Sequence, residues 1–278
     1  MNIKTKIIEC FKNLEYNIGE DGYFSNEEDN LLENYPNWIE IQNEINKGRG
    51  SELKPKSTEK AKFLAVYSSC ALCVNNFALI KYYKDNVTLF GSSGFIKAEF
   101  EKENPTYVRG NNPSYPDFYL ENDKIMIGIE SKFTEHFEHK LVHTNINLNS
   151  YHNHQKLLTN LDPRLNDVIK FYIDCKEALY LDAAQLIKHM VGLSWASKNN
   201  KKAKLVYLYW IPSNYMDKEI YEIYQKHEEE LKTFKDQIKN LPIYFESYSY
   251  LEFWKMMEKN AVLADIVKKI KKRYEFAI

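Results

Sequence analysis

With 278 residues, 44% hydrophobic and 28% charged, the chain has the composition of a globular protein long enough to bury a sizeable core. Four cysteines (Cys10, Cys70, Cys73, Cys175) follow no disulfide-framework spacing, no signal peptide opens the sequence and no apolar run reaches ~18 residues; a secreted disulfide scaffold and a spanning helix are therefore not expected, and a reducing cytoplasm is. The formal net charge of −1 hides an asymmetry: residues 1–150 hold 17 basic and 22 acidic side chains and residues 151–278 hold 21 and 17, so a polyanion would be drawn more by the second half.

Residues 2–16 read as a short amphipathic helix, residues 25–32 as a second, opened by Ser25-Asn26-Glu27-Glu28, and residues 38–45 as a third. Gly48, Arg49, Gly50 and Pro55 separate this helical prelude, read as an accessory layer, from the main body of the chain. Residues 57–83 carry the strongest helical periodicity of the first half, with Phe63, Tyr67, Cys70, Val74 and Phe77 at spacings of three and four. Cys70 and Cys73 lack a second ligand pair, which favours a packed helix face over zinc. Ser68, Ser69, Asn75 and Asn76 interrupt the apolar band, and either bond backbone or border a site.

Residues 95–103 alternate as a strand after a turn at Gly91 to Gly94. Ile96, Ala98 and Phe100 face one way and Lys97, Glu99, Glu101 and Glu103 the other, where a solvated face and a functional one are both open. A polar loop over residues 104–114, containing Arg109, leads to two apolar runs, 118–120 and 125–129, read as strands about an Asn122-Asp123 turn. His136, His139, His143, His152 and His154 then fall within 19 residues, read as a polar loop reaching toward a substrate in preference to a structural zinc site. Residues 168–193 form one or two helices, the second bearing a polar stripe of Gln185, Lys188 and His189. Lys198, Lys201, Lys202 and Lys204 make a basic turn before a buried strand at 205–211, which a crossover returns to the same sheet. A charged helix (217–239), a further strand (244–250) and a terminal helix (261–274) complete the chain. The basic run of that last helix, Lys268 to Arg273, is either solvated or set against phosphate.

The most informative stretch is residues 115–133, YPDFYLENDKIMIGIESKF. Closing the hairpin on Asn122-Asp123 sets Asp117 opposite Gly128, whose missing side chain leaves space in front of it. Glu130 and Lys132 share that face by alternation. Two carboxylates and an ammonium then converge at one strand end, a set suited to a divalent cation with a lysine beside it to orient or activate water. Charged strand ends are also common in proteins that do no chemistry. Against that, the strand before Glu130 is apolar on both faces, so an unpaired carboxylate and ammonium at its end would be costly. Pro116 stands at the strand start, where proline is tolerated.

Pro116-Asp117, with Glu130-Ser131-Lys132 beginning thirteen positions after the aspartate, resembles the PD-(D/E)XK nuclease motif. The helix–strand–strand–strand–helix–strand order over residues 57–211 is similar to the restriction-endonuclease-like core. SSCALCVN at 68–75, GIESKFTE at 128–135 and AAQL at 183–186 look further like a branch of bacterial restriction endonucleases. The resemblance implies that Asp117 and Glu130 ligate Mg²⁺, with Mn²⁺ as a substitute and the Ser131 carbonyl also touching the metal. Lys132 would position or activate the attacking water and stabilise charge on the phosphate. Gln185 resembles an ancillary active-site glutamine. A further carboxylate often precedes the motif on a helix; residues 57–83 offer none after Glu59, so that role falls on Glu101 of the first strand.

The expectation is an α/β protein with a restriction-endonuclease-like core, its mixed central sheet flanked by helices and preceded by an N-terminal helical extension. Residues 1–56 would form that extension, 57–215 the nuclease core, and 216–278 a C-terminal helical and strand extension of the same domain. The function expected is Mg²⁺-dependent endonucleolytic hydrolysis of double-stranded DNA in restriction or phage defence, with a homodimer among the assemblies open to it. Two other readings stand beside it: a non-catalytic nucleic-acid-binding protein that keeps the fold, and a nuclease acting on RNA or DNA ends.

Overall fold

Side-chain alternation decides which of two apolar layers each strand residue joins. The computed structural model describes residues 2–48, 50, 52–55, 57–108, 112–197 and 201–278, with backbone alone for 146 and 147; Arg49, Arg109 and Lys198 lie outside them. Helices α1 (Ile3–Asn13), α2 (Trp38–Lys47) and α3 (Ser69–Tyr82) come first. A small hairpin, β1 (Thr88–Leu89) with β2 (Ser92–Ser93), leads into β3 (Lys97–Phe100), β4 (Phe118–Glu121) and β5 (Ile125–Lys132). Then come β6 (Lys140–Leu141), α4 (Ile146–His152), α5 (Gln155–Thr159), α6 (Arg164–Asp174), β7 (Ala178–Leu179) and α7 (Ala183–Ala196). The chain ends with β8 (Lys202–Tyr209), α8 (Lys218–Ile238), β9 (Ile243–Ser249), α9 (Tyr250–Met257) and α10 (Ala264–Tyr274).

Among the described residues, five strands form one mixed sheet in the order β3-β4-β5-β8-β9. β3, β4 and β5 run antiparallel, whereas β8 lies parallel to β5 and β9 parallel to β8, so the helices between β5 and β8 supply the crossover. Phe118, Leu120, Ile127, Ile129, Val206 and Leu208 pack on one face against α1, α2, α3, α9 and α10. Tyr119, Met126, Leu205 and Tyr207 face the other way, against α4, α6, α7 and α8. This is the mixed α/β sandwich of a restriction-endonuclease-like fold. Among the described residues no helix is long and apolar enough to cross a membrane.

α3 is shorter than the 57–83 helix expected from periodicity. Residues 22–24 compete for the backbone ahead of it: Phe24 N–H donates to Leu64 O at 2.9 Å and Val66 N–H to Gly22 O at 3.0 Å. That pairing holds residues 64–66 out of the helix, and Ser68 then caps it, its hydroxyl accepting from Ala71 N at 3.2 Å. α3 is buried on nearly all sides, as a helix apolar all round should be. Its asparagines bind structure and lie away from any cleft. Asn75 accepts from Leu32 N and donates to Asn30 O (2.9 Å each), and also donates to the Tyr274 hydroxyl (2.8 Å). Asn76 accepts from the Trp254 indole at 2.8 Å.

Other expectations change as well. The helix read at 25–32 is only a single 3₁₀ turn, Glu28–Asn30. The strand read at 95–103 contracts to β3: Glu101 takes φ 48°, outside any strand, and Ile96 is 52% exposed instead of joining Ala98 and Phe100. The histidine-rich stretch is not a loop, for β6, α4 and α5 occupy it and bury Val142, Leu148, Tyr151 and Leu158. α9 has no counterpart among the expected elements; a capping box of Ser249 and Glu252 starts it directly after β9. The basic run in α10 is largely engaged. Arg273 is buried beneath the rings of Phe11, Tyr16 and Phe24 and donates to Asn30 O and Asp29 O, while Lys268, Lys269 and Lys271 pair with Asp265, Glu33 and Glu258.

Candidate active site

The β4–β5 turn decides where Asp117 points. Asn122 N–H donates to Ile125 O at 3.0 Å, and the Asn122 side-chain oxygen accepts from Lys124 N and Ile125 N at 2.9 Å each. The tip is therefore Asp123-Lys124, one residue beyond the turn expected from sequence. Tyr119 pairs with Gly128 and Phe118 with Ile129, so the register carried one step further sets Asp117 opposite Glu130, not Gly128. The shift is two residues along the partner strand, so parity holds and Asp117, Glu130 and Lys132 share a face. Gly128 has a different purpose from the one expected: a Cβ there would fall 2.8 Å from Leu193 Cδ1. Its bareness lets α7 lie close on the sheet.

The same logic brings in Glu101. Phe100 pairs with Phe118, so Glu101 follows opposite Asp117, and its N–H reaches Asp117 O at 3.4 Å. Glu101, just past β3, Asp117, just before β4, and Glu130 on β5 thus form a row of carboxyls lining one cleft, with Tyr207 of β8 beside Glu130. Glu99 and Glu103 do not join it: Glu99 pairs with Lys102 at 3.1 Å and Glu103 accepts from the Tyr115 hydroxyl at 3.0 Å. Gly48 closes over Glu101, since a Cβ there would fall 2.6 Å from Glu101 Oε2.

Contacts in the row are charge-assisted. Lys132 Nζ lies 2.6 Å from Glu130 Oε1 and donates to Gln185 Oε1 at 2.8 Å. His189 Nε2 lies 2.9 Å from Glu130 Oε2. Asp117 Oδ2 accepts from Ser131 N at 2.7 Å, and the Ser131 hydroxyl turns to the opposite face to bond Tyr250 at 2.6 Å. Only the backbone of Ser131 is therefore left to serve the site. Burial would push the Glu130 carboxyl up, but Lys132 and His189 outweigh it and hold its pKa at about 2. Burial, then repulsion from Glu130 and Glu52, pushes Glu101 up to about 8. Burial and Glu130 raise Asp117 well above the usual carboxylate range.

These side chains line a cleft of about 380 Å³ with Glu52, Ser69, Cys70, Glu135, Lys188 and His189. Glu52, Glu135, Asp182 and His189 are acidic and imidazole residues of the cleft to which the motif assigns no role. Glu52 sits in an irregular segment with no periodicity to mark it. His189 shows in the sequence only as part of a polar stripe, although its position one turn after Gln185 puts both on one helix face. A larger groove, about 1170 Å³, lies at the opposite end of the sheet between Lys124, Lys202, Lys204 and Tyr244, but no cluster of carboxylates stands in it.

Among the described residues, no three His, Cys, Asp or Glu side chains form a ready ligand shell. The donors available are nonetheless those of a hard divalent cation: carboxylate oxygens of Asp117 and Glu130, with the Ser131 carbonyl. Each Glu130 oxygen keeps a lone pair beyond its contact with Lys132 or His189. Asp117 and Glu101 are half-buried carboxyls short of positive charge, which a cation would supply. The residues fit an oxygen-ligated ion.

A family model described as restriction endonuclease associating with ARP matches residues 11–275, nearly the whole chain. No curated protein and no solved structure matches it.

Proposed function

The chain belongs to the family of restriction endonucleases associating with ARP, and from that premise we propose that it cleaves double-stranded DNA within the duplex, with Mg²⁺ or Mn²⁺ held by Asp117, Glu130 and the Ser131 carbonyl, as a restriction or phage-defence nuclease. The observation that carries this reading is the row Glu101–Asp117–Glu130 lining one cleft, with Lys132 Nζ 2.6 Å from Glu130 at its end. A bound divalent ion would supply Lewis acidity and lower the pKa of a coordinated water. The chain's own residues do the rest. Lys132, fixed by Glu130 and Gln185, presents N–H donors and a full positive charge to the phosphate as negative charge grows on its oxygens. Gln185 keeps that ammonium from collapsing wholly onto Glu130. Glu101 adds a further carboxylate beside Asp117, and Lys188 brings positive charge to the same cleft. Hydrolysis forms one P–O bond to the water oxygen and breaks one ester P–O bond. The family's description also names an association with ARP, so ARP stands beside the DNA as a partner in this reading.

The test is incubation of purified protein with plasmid and linear DNA, in Mg²⁺ or in EDTA, beside Asp117→Ala and Lys132→Ala. Cutting should need the metal, and each substitution should lower its rate by roughly 10²–10³-fold. Metal-independent cutting, or full activity in both variants, would refute the mechanism.

A further inference from the structure

Glu130 is held from above by a residue the reaction just described does not use. His189 is 2% exposed, with Nε2 2.9 Å from Glu130 Oε2 and Nδ1 3.3 Å from the Ser114 hydroxyl. The imidazole thus stands between the two groups, Nε2 in close contact with the carboxylate and Nδ1 hydrogen-bonded to the serine hydroxyl. Ser114 is itself fixed. It exchanges backbone hydrogen bonds with Asn104 at 2.8 and 2.9 Å, and it lies so close to α7 that a Cβ on Gly192 would fall 2.6 Å from its Oγ. Serine, histidine and carboxylate in this order also occur in nucleophilic hydrolases. Ser114 is fully buried and does not line the cleft, so its hydroxyl has no route to a substrate. The trio is directed at Glu130.

One turn of α7 separates Gln185 from His189, and the pair grips both ends of a single ion pair: Gln185 holds the Lys132 ammonium and His189 the Glu130 carboxylate. We propose that His189 is a positioning residue: locked by Ser114, it fixes Glu130 Oε2 so that the remaining lone pairs of this carboxylate stay directed at the cation site. The proposal rests on the reading of Glu130 as a metal ligand. A partner that orients a ligand typically contributes ~10–100-fold in metal affinity.

Calorimetric titration of the full chain with Mn²⁺, without DNA, separates the outcomes, with the unfolding midpoint of every variant measured alongside. His189→Ala should bind Mn²⁺ roughly 10–100-fold more weakly than wild type. His189→Gln, whose amide can still donate to Glu130, should recover most of the affinity, and Ser114→Ala should lose less than His189→Ala. Equal or tighter binding by folded His189→Ala would overturn the proposal, tighter binding meaning that the imidazole competes with the ion. If the alanine variant does not fold, His189→Phe against His189→Gln makes the same comparison, and equal affinities would overturn it. A wild type that binds no Mn²⁺ would instead refute the metal reading of the cleft, and this proposal with it.

Discussion

Burial alone would strip the proton from Lys132, but Glu130, Glu135 and Asp117 surround it with negative charge and push its pKa well above the usual lysine range. A lysine so placed is a fixed cation. In the proposed reaction it would orient water and bind phosphate oxygens. Gly128 is held bare by a distant side chain, Leu193. Its place before the Glu-x-Lys triplet is legible in the sequence, and its reason is not, because Leu193 lies far off along the chain. Gly128→Ala should force Leu193 and α7 outward and cost about 1–3 kcal/mol of stability, by the usual penalty of overpacking. Gln185 and His189 ride on the same helix, so DNA cleavage should fall with it. An unchanged urea midpoint would show that the interface can absorb the methyl group.

Among the elements, α3 shows how a strong periodic signal can mark an element and misplace its start. Phe63 and Tyr67 continue the apolar spacing, yet backbone bonds to residues 22–24 claim the chain there. No property of residues 57–68 alone announces that competition. Asn75 is the joint at which α3 meets the N-terminal segment and α10, bonding Leu32 N, Asn30 O and the Tyr274 hydroxyl. Asn75→Ala leaves those groups buried without their partner and should cost about 1–3 kcal/mol in chemical denaturation. A loss below about 0.5 kcal/mol, the scatter of ordinary surface changes, would mean that other groups replace the side chain. Strand elements are more legible than helix ends, since an apolar run at 205–211 needs little context to become the buried β8.

At the scale of the whole molecule, helices from both ends of the chain share one apolar layer, and a buried polar knot joins β8, α8 and the segment after β5 in the other. His136 packs 5.1 Å from His227, ring to ring, and the His227 Nε2 meets the Tyr207 hydroxyl at 3.2 Å. Burial pushes His136 down to about 3, and burial with His136 lowers His227 well below the usual imidazole range. Between the ordinary value near 6.5 and about 3 the unfolded chain holds the proton and the folded one does not, so stability is full above the upper value and is lost as pH falls. Asp117 and Glu101, with raised values, act in the opposite sense. The measurement is therefore a comparison: from pH 8 to pH 4.5, wild-type Tm should fall more steeply than that of His136→Phe. Parallel curves would count against it.

The amino-acid sequence by itself determined the order of elements around the hairpin, the face shared by Asp117, Glu130 and Lys132, and the helix that brings Gln185 to them. Those properties are local: alternation and periodicity need no distant partner, and an even slip in register leaves a face unchanged. Only the tertiary structure decided that Glu130, not Gly128, stands opposite Asp117, because the Asn122 side chain chooses the turn. It alone brought Glu52 into the cleft and set His189 between Ser114 and Glu130. These placements arise where α7 and the segment around residues 48–52 close on the sheet, and contacts between distant parts of the chain leave no periodic mark in either part.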